Sequence, residues 1–224
     1  AVLFTPVATD GLSSERLAAL CEDIDSRRAA RVQFDAVTGA VRDAGPDRGA
    51  AGECGLAADE SLFTFTQVPP RRLLVVGGVH ITQFLAPMAQ QAGYDVVVID
   101  PRAVFAAAER FPGTRCLTAW PDEAMAELAP DTQTAVVTLT HDPKIDDPGL
   151  RAALASEAFY IGCLGSRRTH AARCERLSEA GFAAETIARL HGPAGLDIGA
   201  KTPAEIAVSI LAQMIAAERK GGGS

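Results

Sequence analysis

Residues 73–100 read LLVVGGVHITQFLAPMAQQAGYDVVVID, and this stretch decides the fold. It begins with an apolar run that ends in Gly77-Gly78, continues through a helical pattern over roughly Ile81–Ala92, and ends in a second apolar run, Tyr94–Asp100. Continuous apolar runs are typical of strands buried on both faces, and buried strands that alternate with helices form parallel sheets. The stretch therefore predicts a βαβ unit that opens a doubly wound α/β domain.

The same alternation continues along the chain. The further strands and helices that the pattern predicts are, in order, a helix over Val104–Phe111, a strand over Arg115–Thr118, a helix over Pro121–Leu128, a strand over Thr134–Thr140, a helix from Asp147-Pro148, a strand over Phe159–Leu164, a helix from about Arg167 and a last helix from the capping box Thr202-Pro-Ala-Glu205. We therefore expect residues 68–220 to form a Rossmann-like domain with a mostly parallel sheet.

The first 67 residues follow a different pattern and predict a small α+β segment. Its expected parts are a strand over Val2–Val7, a helix over Ser14–Ser26, a hairpin of Ala30–Val37 with Ala40–Asp43, a flexible stretch over Gly45–Asp59 and an alternating strand over Ser61–Val68. The chain opens without Met, so we expect an upstream part. Residues 221–224 are typical of a linker or a cloning remnant.

Composition narrows the class of protein. The 224 residues carry a formal net charge of −7, which argues against nonspecific nucleic-acid binding because no basic face can dominate. No apolar run reaches the roughly 20 residues that span a bilayer, and no signal peptide is visible. The five cysteines are scattered and never spaced as CxxC, which indicates a reducing cytoplasm and no structural zinc site.

Polar and glycine-rich sequence follows several of the predicted strands. In a doubly wound fold, ligands bind at the carboxyl ends of the strands, and helix starts offer unpaired N–H groups to phosphate. These positions predict a site for a phosphate-bearing ligand, with no catalytic residue and no metal-ligand spacing. The candidate residues are Gly77, Gly78, His80, Asp100, Arg102, Thr140, His141, Asp142, Gly165, Ser166, Arg167, Arg168, Lys201 and Thr202.

The first of these loops lies where a dinucleotide fingerprint G-x-G-x-x-G would lie. Gly77 matches the first glycine, whereas Val79 and Thr82 replace the second and third, and Asp100 follows at about the spacing of a ribose-binding acid. Two interpretations remain open. The loop binds a nucleotide, with Val79 hindering the approach of a pyrophosphate, or its glycines only serve a strand–turn–helix connection.

The other candidates also have two interpretations. His141-Asp142 could act as an acid/base pair or anion contact, or could cap the loop before Pro143. Arg167-Arg168 suits an oxyanion through its fork of donors, or lies exposed on the helix surface. Lys201-Thr202 could likewise bind an anion at a helix start, or could belong only to a capping box. Among the thiols, Cys163 is expected in the core and Cys54 in an exposed loop.

Three long motifs give the chain a family resemblance. They are Leu139–Pro148 (LTHDPKIDDP), Phe159–His170 (FYIGCLGSRRTH) and Gly192–Ala207 (GPAGLDIGAKTPAEIA). With these motifs the chain resembles the XdhC/CoxI family, accessory proteins of molybdenum hydroxylases such as xanthine dehydrogenase, from about Pro69 to Arg219. The resemblance implies a Rossmann-like domain that binds molybdenum cofactor (molybdopterin), protects it during sulfuration and delivers it to the apo-hydroxylase. A sulfurtransferase is a further partner that it implies.

The chain departs from the family pattern in two places. The family commonly reads Gly-Ala-Gly-His where this chain has Gly77-Gly-Val-His80, and its cysteine-containing N-terminal domain has no counterpart in residues 1–67. Two alternative functions therefore stay open beside the carrier role: an oxidoreductase that binds NAD(P) or FAD in the same crevice, and an assembly scaffold that binds no small molecule. An exposed apolar edge on the first segment would favour a homodimer.

Overall fold

The first compact unit is a small antiparallel sheet with one helix. The computed structural model describes residues 12–46 and 54–221, and the chain divides into the units Ala1–Pro69 and Pro70–Ser224. In the first unit the four-stranded sheet has the order β2-β1-β4-β3. Its elements are α1 (Ser14–Asp25), β1 (Ala30–Asp35), β2 (Val41–Pro46), β3 (Gly55–Leu56) and β4 (Leu62–Gln67).

This unit confirms the predicted helix, hairpin and alternating strand, and it corrects the loop between them. The stretch Gly45–Asp59 is predicted to be flexible, but β2 runs to Pro46 and Gly55 pairs with Thr64 of β4. Strand β3 forms through backbone hydrogen bonds to β4, and these bonds require no apolar pattern in the sequence. The sequence therefore carries no signal for β3. The strand predicted over Val2–Val7 lies outside the described residues.

The second unit contains six parallel strands with helices on both faces, the arrangement that the sequence predicts from five of these strands. The strand order is β10-β9-β8-β5-β6-β7, and every neighbouring pair is parallel. This order places a topological switch point between β5 and β8. The elements are β5 (Arg72–Val76), α2 (His80–Gln91), β6 (Asp95–Ile99), β7 (Arg115–Leu117), α3 (Pro121–Leu128), β8 (Thr134–Thr138), α4 (Pro143–Leu154), β9 (Tyr160–Cys163), α5 (Arg167–Glu179), α6 (Ala184–Ile187), β10 (Leu190–His191) and α7 (Pro203–Gly221).

The apolar runs in the sequence reflect burial on both faces of this sheet. Leu74 and Val76 of β5 point into one core with α3, α4 and α5, while Leu73 and Val75 point into the other with α2 and α7. Side chains alternate between the two faces of a strand, so a central strand must be apolar throughout. Ile210 of α7 is fully buried, which confirms the predicted core face of the last helix.

Two predicted helices are wrong in their bounds. Helix α4 begins at Pro143, not at Asp147-Pro148, and the Asp142 side chain caps it by accepting from the Lys144 N–H at 2.9 Å. Both Asp-Pro pairs give the same local signal. The earlier pair begins the helix, and Asp147 lies inside it, where its carboxylate accepts from the Arg176 guanidinium at 2.7 and 3.0 Å.

The second wrong helix is Val104–Phe111, where only Ala108–Arg110 forms a single 3₁₀ turn. Short backbone turns replace the helix, with the Phe105 N–H donating to the Arg102 carbonyl oxygen at 2.8 Å, and Arg110 also bonds the Phe105 carbonyl oxygen as described below. Helix α6 and strand β10 are missing from the sequence prediction, since each is too short to show a period. Within the described ranges, no helix is long and apolar enough to cross a membrane.

Candidate functional site

The carboxyl edge of the six-stranded sheet carries most of the predicted site residues, but they fall into separate groups. Gly77, Gly78, Asp100 and Arg102 form one group, and the loop after β8 forms a second. Gly77 joins them, because a Cβ added there would lie 2.7 Å from Thr140 Cγ2. Its φ of +110° is a conformation that side chains rarely adopt, so this close approach requires glycine.

Asp100 is fully buried and bonded within the protein. Its carboxylate accepts from the Gly78 N–H at 3.0 Å, from Arg102 Nε and Nη2 at 2.8 Å each, and from the Arg102 N–H at 3.0 Å. Burial alone would raise the pKa of Asp100, but the bonds from Arg102 and Gly78 outweigh it and hold the pKa below its ordinary value. The acid that a dinucleotide's ribose would need is therefore committed to internal bonds.

The glycine loop is also covered by the chain's own backbone. A Cβ added at Gly78 would lie 2.0 Å from the Phe105 carbonyl oxygen. Arg110 Nη1 donates to that same oxygen at 2.9 Å and also to the Gly78 carbonyl oxygen. The Arg102 guanidinium lies 3.9 Å from the centroid of the Phe105 ring. The segment after β6 thus occupies the space above Gly78 that a pyrophosphate would require.

The loop after β8 is held by Asp146, which the sequence prediction did not single out. This buried carboxylate accepts from Thr140 Oγ1 at 2.8 Å, from the Thr140 N–H at 3.3 Å and from the His141 N–H at 3.1 Å. Burial raises the pKa of Asp146 despite these bonds. His141 is exposed, and its φ is 62°. Asp142 caps α4, so the geometry supports the capping interpretation for Asp142.

The loop after β9 leads into α5 as the sequence indicates. Ser166 is the N-cap, and its hydroxyl accepts from the Thr169 N–H at 3.1 Å. Arg167 and Arg168 are exposed in the first turn of the helix. Cys163 at the end of β9 is fully buried, and burial raises the pKa of its thiol to about 11. It is a neutral core thiol at pH 7, as predicted.

An open pocket of about 420 Å³ lies beside this loop. Leu164, Gly165 and Arg167 form one wall, and segment 193–200 together with Ile206 and Ser209 of α7 forms the rest. Pockets for small molecules usually fall between about 300 and 1,000 Å³. Of the predicted site residues, Gly165 and Arg167 line this pocket.

The segment that closes the pocket is fixed by Gln213. Its side-chain oxygen accepts from the Gly195 N–H at 2.8 Å and from the Tyr160 hydroxyl at 2.6 Å. A Cβ added at Gly195 would lie 2.3 Å from Ser209 Oγ, so a glycine is needed for the segment to reach α7. The pocket wall is therefore rigid where it meets the sheet.

The remaining predicted residues are occupied locally. The Glu205 carboxylate accepts from the Lys201 N–H at 2.7 Å and from the Thr202 N–H at 2.9 Å, which confirms the capping box. These two backbone donors are thus used within the protein. His80 is exposed at the start of α2, with its ring 5.5 Å from that of Phe84.

Sequence reasoning also missed Arg173, which is only 2% exposed. Its Nη2 donates to the Leu164 carbonyl oxygen at 3.0 Å, while its Nε and Nη1 have no hydrogen-bond partner among the described residues. A signal was present, because Arg173 lies four residues before the buried Leu177 and therefore on the core face of α5. Across the described ranges, no group of three or more histidine, cysteine or acidic side chains could hold a metal ion.

Comparison with known proteins identifies three relatives. The chain is 32% identical over 146 residues to the molybdenum cofactor insertion chaperone PaoD of Escherichia coli K12, and the match covers 65% of this chain and 40% of that protein. It is 31% identical over 153 residues to a protein of Bacillus subtilis 168 named as a probable xanthine dehydrogenase subunit, covering 68% and 44%. The uncharacterized E. coli protein YqeB is 33% identical over 175 residues, covering 76% and 31%.

The chain thus spans less than half the length of these curated relatives. In fold it is similar to the crystal structure of a xanthine dehydrogenase from Bacillus halodurans, with a TM-score of 0.68, 24% identity, and coverage of 96% of this chain and 66% of that one. The family model of the XdhC Rossmann domain matches residues 73–214, which is the six-stranded unit described above almost in full. The chain therefore belongs to the XdhC family, and residues 73–214 are its Rossmann domain.

Proposed function

We propose that this chain binds the molybdenum cofactor and delivers it to the apoprotein of a molybdenum hydroxylase such as xanthine dehydrogenase. Membership of the XdhC family supports this, as does the similarity to an E. coli protein named as a molybdenum cofactor insertion chaperone. The chain acts as a carrier rather than as a turnover catalyst. Its partner is the hydroxylase apoprotein, and a sulfurtransferase partner, a homodimer and a cytoplasmic location remain predictions.

The pocket beside Arg167 is the observation that carries the proposal. It is open, has a volume of about 420 Å³ and lies at the carboxyl edge of the sheet, where ligands of doubly wound folds bind. The exposed guanidinium of Arg167 provides a fork of charged donors that suits a phosphate group. The apolar side chains of Leu164 and Ile206 in the same wall suit the flat face of a pterin ring.

The alternative of an NAD(P)- or FAD-dependent oxidoreductase receives no such support. Such a cofactor needs a bare glycine loop and a free acid at the end of the second strand. Here Phe105 covers Gly78, and Asp100 is bonded to Gly78 and Arg102. Because these bonds close the crevice at Gly78, they favour the pocket beside Arg167 as the ligand site.

The proposal is tested by the affinity of the purified protein for molybdopterin, followed by fluorescence quenching, in the wild type and in Arg167→Ala. We expect a loss of at least about tenfold, since a charge-assisted bond contributes about 1.5–3 kcal/mol. Arg151→Ala is the matched control, because Arg151 is exposed at the far end of α4. Equal affinity of both variants and the wild type would count against this pocket.

A further inference from the structure

A buried polar cluster lies directly beneath the loops after β8 and β9. Thr138 and Cys163 end these two parallel strands and are partners in the register, so their side chains point to the same face of the sheet. Asp146 of α4 and Arg173 of α5 cover that face. The four residues are 0%, 0%, 1% and 2% exposed in that order. The cluster is a polar interior between two helices and the strand ends.

Two members of this cluster have unused hydrogen-bonding groups. The Nε and Nη1 of Arg173 and the hydroxyl of Thr138 lack a partner within the part of the chain that the structure describes. Buried polar groups are nearly always bonded, and an unpaired one costs about 1–3 kcal/mol, more when it is charged. A guanidinium cannot relieve the cost by losing its proton. An acceptor from outside the described residues would complete the bonds of these buried groups.

Asp146 and Cys163 lie near enough to feel the charge of Arg173, yet its Nε and Nη1 stay without a hydrogen-bond partner among the described residues. The oxygens of Asp146 are engaged by Thr140 and His141. Burial raises the pKa of Cys163 to about 11, so its thiol is neutral and is at most a weak acceptor. Arg173 is thus the charged donor of the cluster whose bonds are incomplete.

The guanidinium also bonds the backbone of a residue that lines the open pocket. Long side chains on a helix point back toward its N-terminus, which carries Arg173 to the end of β9. There it bonds the carbonyl of Leu164, whose side chain lines the pocket. Thr140 above the cluster is half-buried and Ser166 is exposed, so the loops over it are in contact with solvent.

We infer that Arg173 and Thr138 form an inner subsite for a phosphate-type oxyanion. The guanidinium donates through Nε and Nη1, and the Thr138 hydroxyl donates the third bond. In a cofactor carrier this oxyanion is the phosphate of the bound pterin, and that identification rests on the proposed function. Arg167, at the exposed rim of the pocket, then makes the outer contact to this phosphate, and Arg173 anchors it from beneath the loop.

The test uses inorganic phosphate as the probe and isothermal titration calorimetry on the full chain. Arg173→Lys keeps the charge but removes the planar fork, and we expect at least about tenfold weaker phosphate binding. Arg151→Lys is the matched control at an exposed arginine and should bind as the wild type does. Equal phosphate affinity in both variants, or no phosphate binding by the wild type at millimolar concentrations, would overturn the subsite.

Thr138→Val separates ligand binding from folding. The variant loses a buried hydroxyl that is unpaired among the described residues, so its unfolding midpoint should stay the same or rise, while phosphate binding weakens several-fold. Thr132→Val, at an exposed position before β8, should change neither. An unchanged phosphate affinity in Thr138→Val with a raised midpoint would mean that Thr138 is only a packing residue, and would overturn its role.

Pterin content distinguishes this inference from the proposed function. If wild-type protein retains no pterin but Arg173→Lys still weakens phosphate binding, the carrier role fails and the oxyanion subsite stands. If the wild type retains pterin and Arg173→Lys retains as much, with unchanged phosphate affinity, the carrier role stands and the subsite fails.

Discussion

The backbone N–H of Gly78 donates to the buried carboxylate of Asp100 over 3.0 Å and ties the loop after β5 to the end of β6. In Rossmann folds that bind dinucleotides, the glycine loop that contains position 78 approaches the pyrophosphate, and an acid at the position of Asp100 bonds the ribose. In this chain they hold each other, and Arg102 saturates the rest of the carboxylate. The fold is retained while its usual ligand crevice is closed from within.

A first prediction concerns nucleotides. Because Phe105 covers Gly78 and Asp100 is fully bonded, NAD, NADP and FAD should show no binding at micromolar concentrations in a calorimetric titration. Dissociation constants in the micromolar range for any of the three would show that the segment after β6 moves away. That result would restore the oxidoreductase alternative.

The contact at Gly78 also predicts a large stability effect. A Cβ in Gly78→Ala would lie 2.0 Å from the Phe105 carbonyl oxygen, and we expect a loss of about 3 kcal/mol in the free energy of unfolding. Gly113→Ala is the comparison, because Gly113 has φ of +73° but open space around it. It should cost only the backbone strain, about 1 kcal/mol. Urea denaturation measures both, and equal losses would contradict the packing argument.

The decrease in the free energy of unfolding at acid pH should depend on Asp100. Its folded pKa lies below the ordinary value, so its contribution is present above the unfolded pKa near 3.8 and is lost as the pH falls through the folded pKa. Asp100→Asn should therefore be less stable than the wild type at pH 7, and the difference should shrink below about pH 4. Thermal unfolding between pH 2 and 7 measures it. A difference that is constant with pH would contradict the assignment.

Asp146 should behave with the opposite sign. Burial raises its folded pKa above 3.8, so ionised Asp146 destabilises the fold above that folded pKa, and the penalty disappears as the pH falls toward the unfolded value. The Asp146 carboxyl should titrate above an ordinary aspartate in a carboxyl-carbon NMR experiment, and Asp100 below one. Reversed order of the two titrations would show that the bonds from Thr140 and His141 outweigh burial.

The partly buried ion pair of Arg176 with Asp147 should stabilise the fold more than the exposed ion pair of Arg115 with Glu127. Asp147 keeps only 10% of its side chain exposed and accepts two bonds from Arg176. Arg176→Ala should cost about 1–2 kcal/mol after allowance for the partly exposed arginine. Arg115→Ala breaks an exposed pair with Glu127 and should cost less than about 0.5 kcal/mol. Similar losses in urea denaturation would contradict the role of Asp147 in holding α4 to α5.

The sheet was predictable because burial on both faces produces a continuous apolar run, as in β5, whatever the partner strands are. The caps Ser166 and Thr202 were predictable because their partners lie within four residues. The predicted helix start at Asp147 is wrong because Asp142-Pro143 carries the same local signal earlier in the chain, and Asp147 bonds the distant Arg176 instead of capping. The packing of Phe105 over Gly78 leaves no local pattern in the sequence, whereas the spacing of Arg173 and Leu177 along α5 was a local signal for the buried arginine.

The most direct test of the carrier role is the molar ratio of pterin to protein. The chain is purified from cells that make molybdenum cofactor, the sample is oxidised, and the fluorescent pterin is quantified against the protein concentration. The proposed function predicts close to one pterin per chain in the folded protein, and this pterin should be released when the protein unfolds. Folded protein that carries no pterin above the level of an unrelated protein purified in parallel would contradict it.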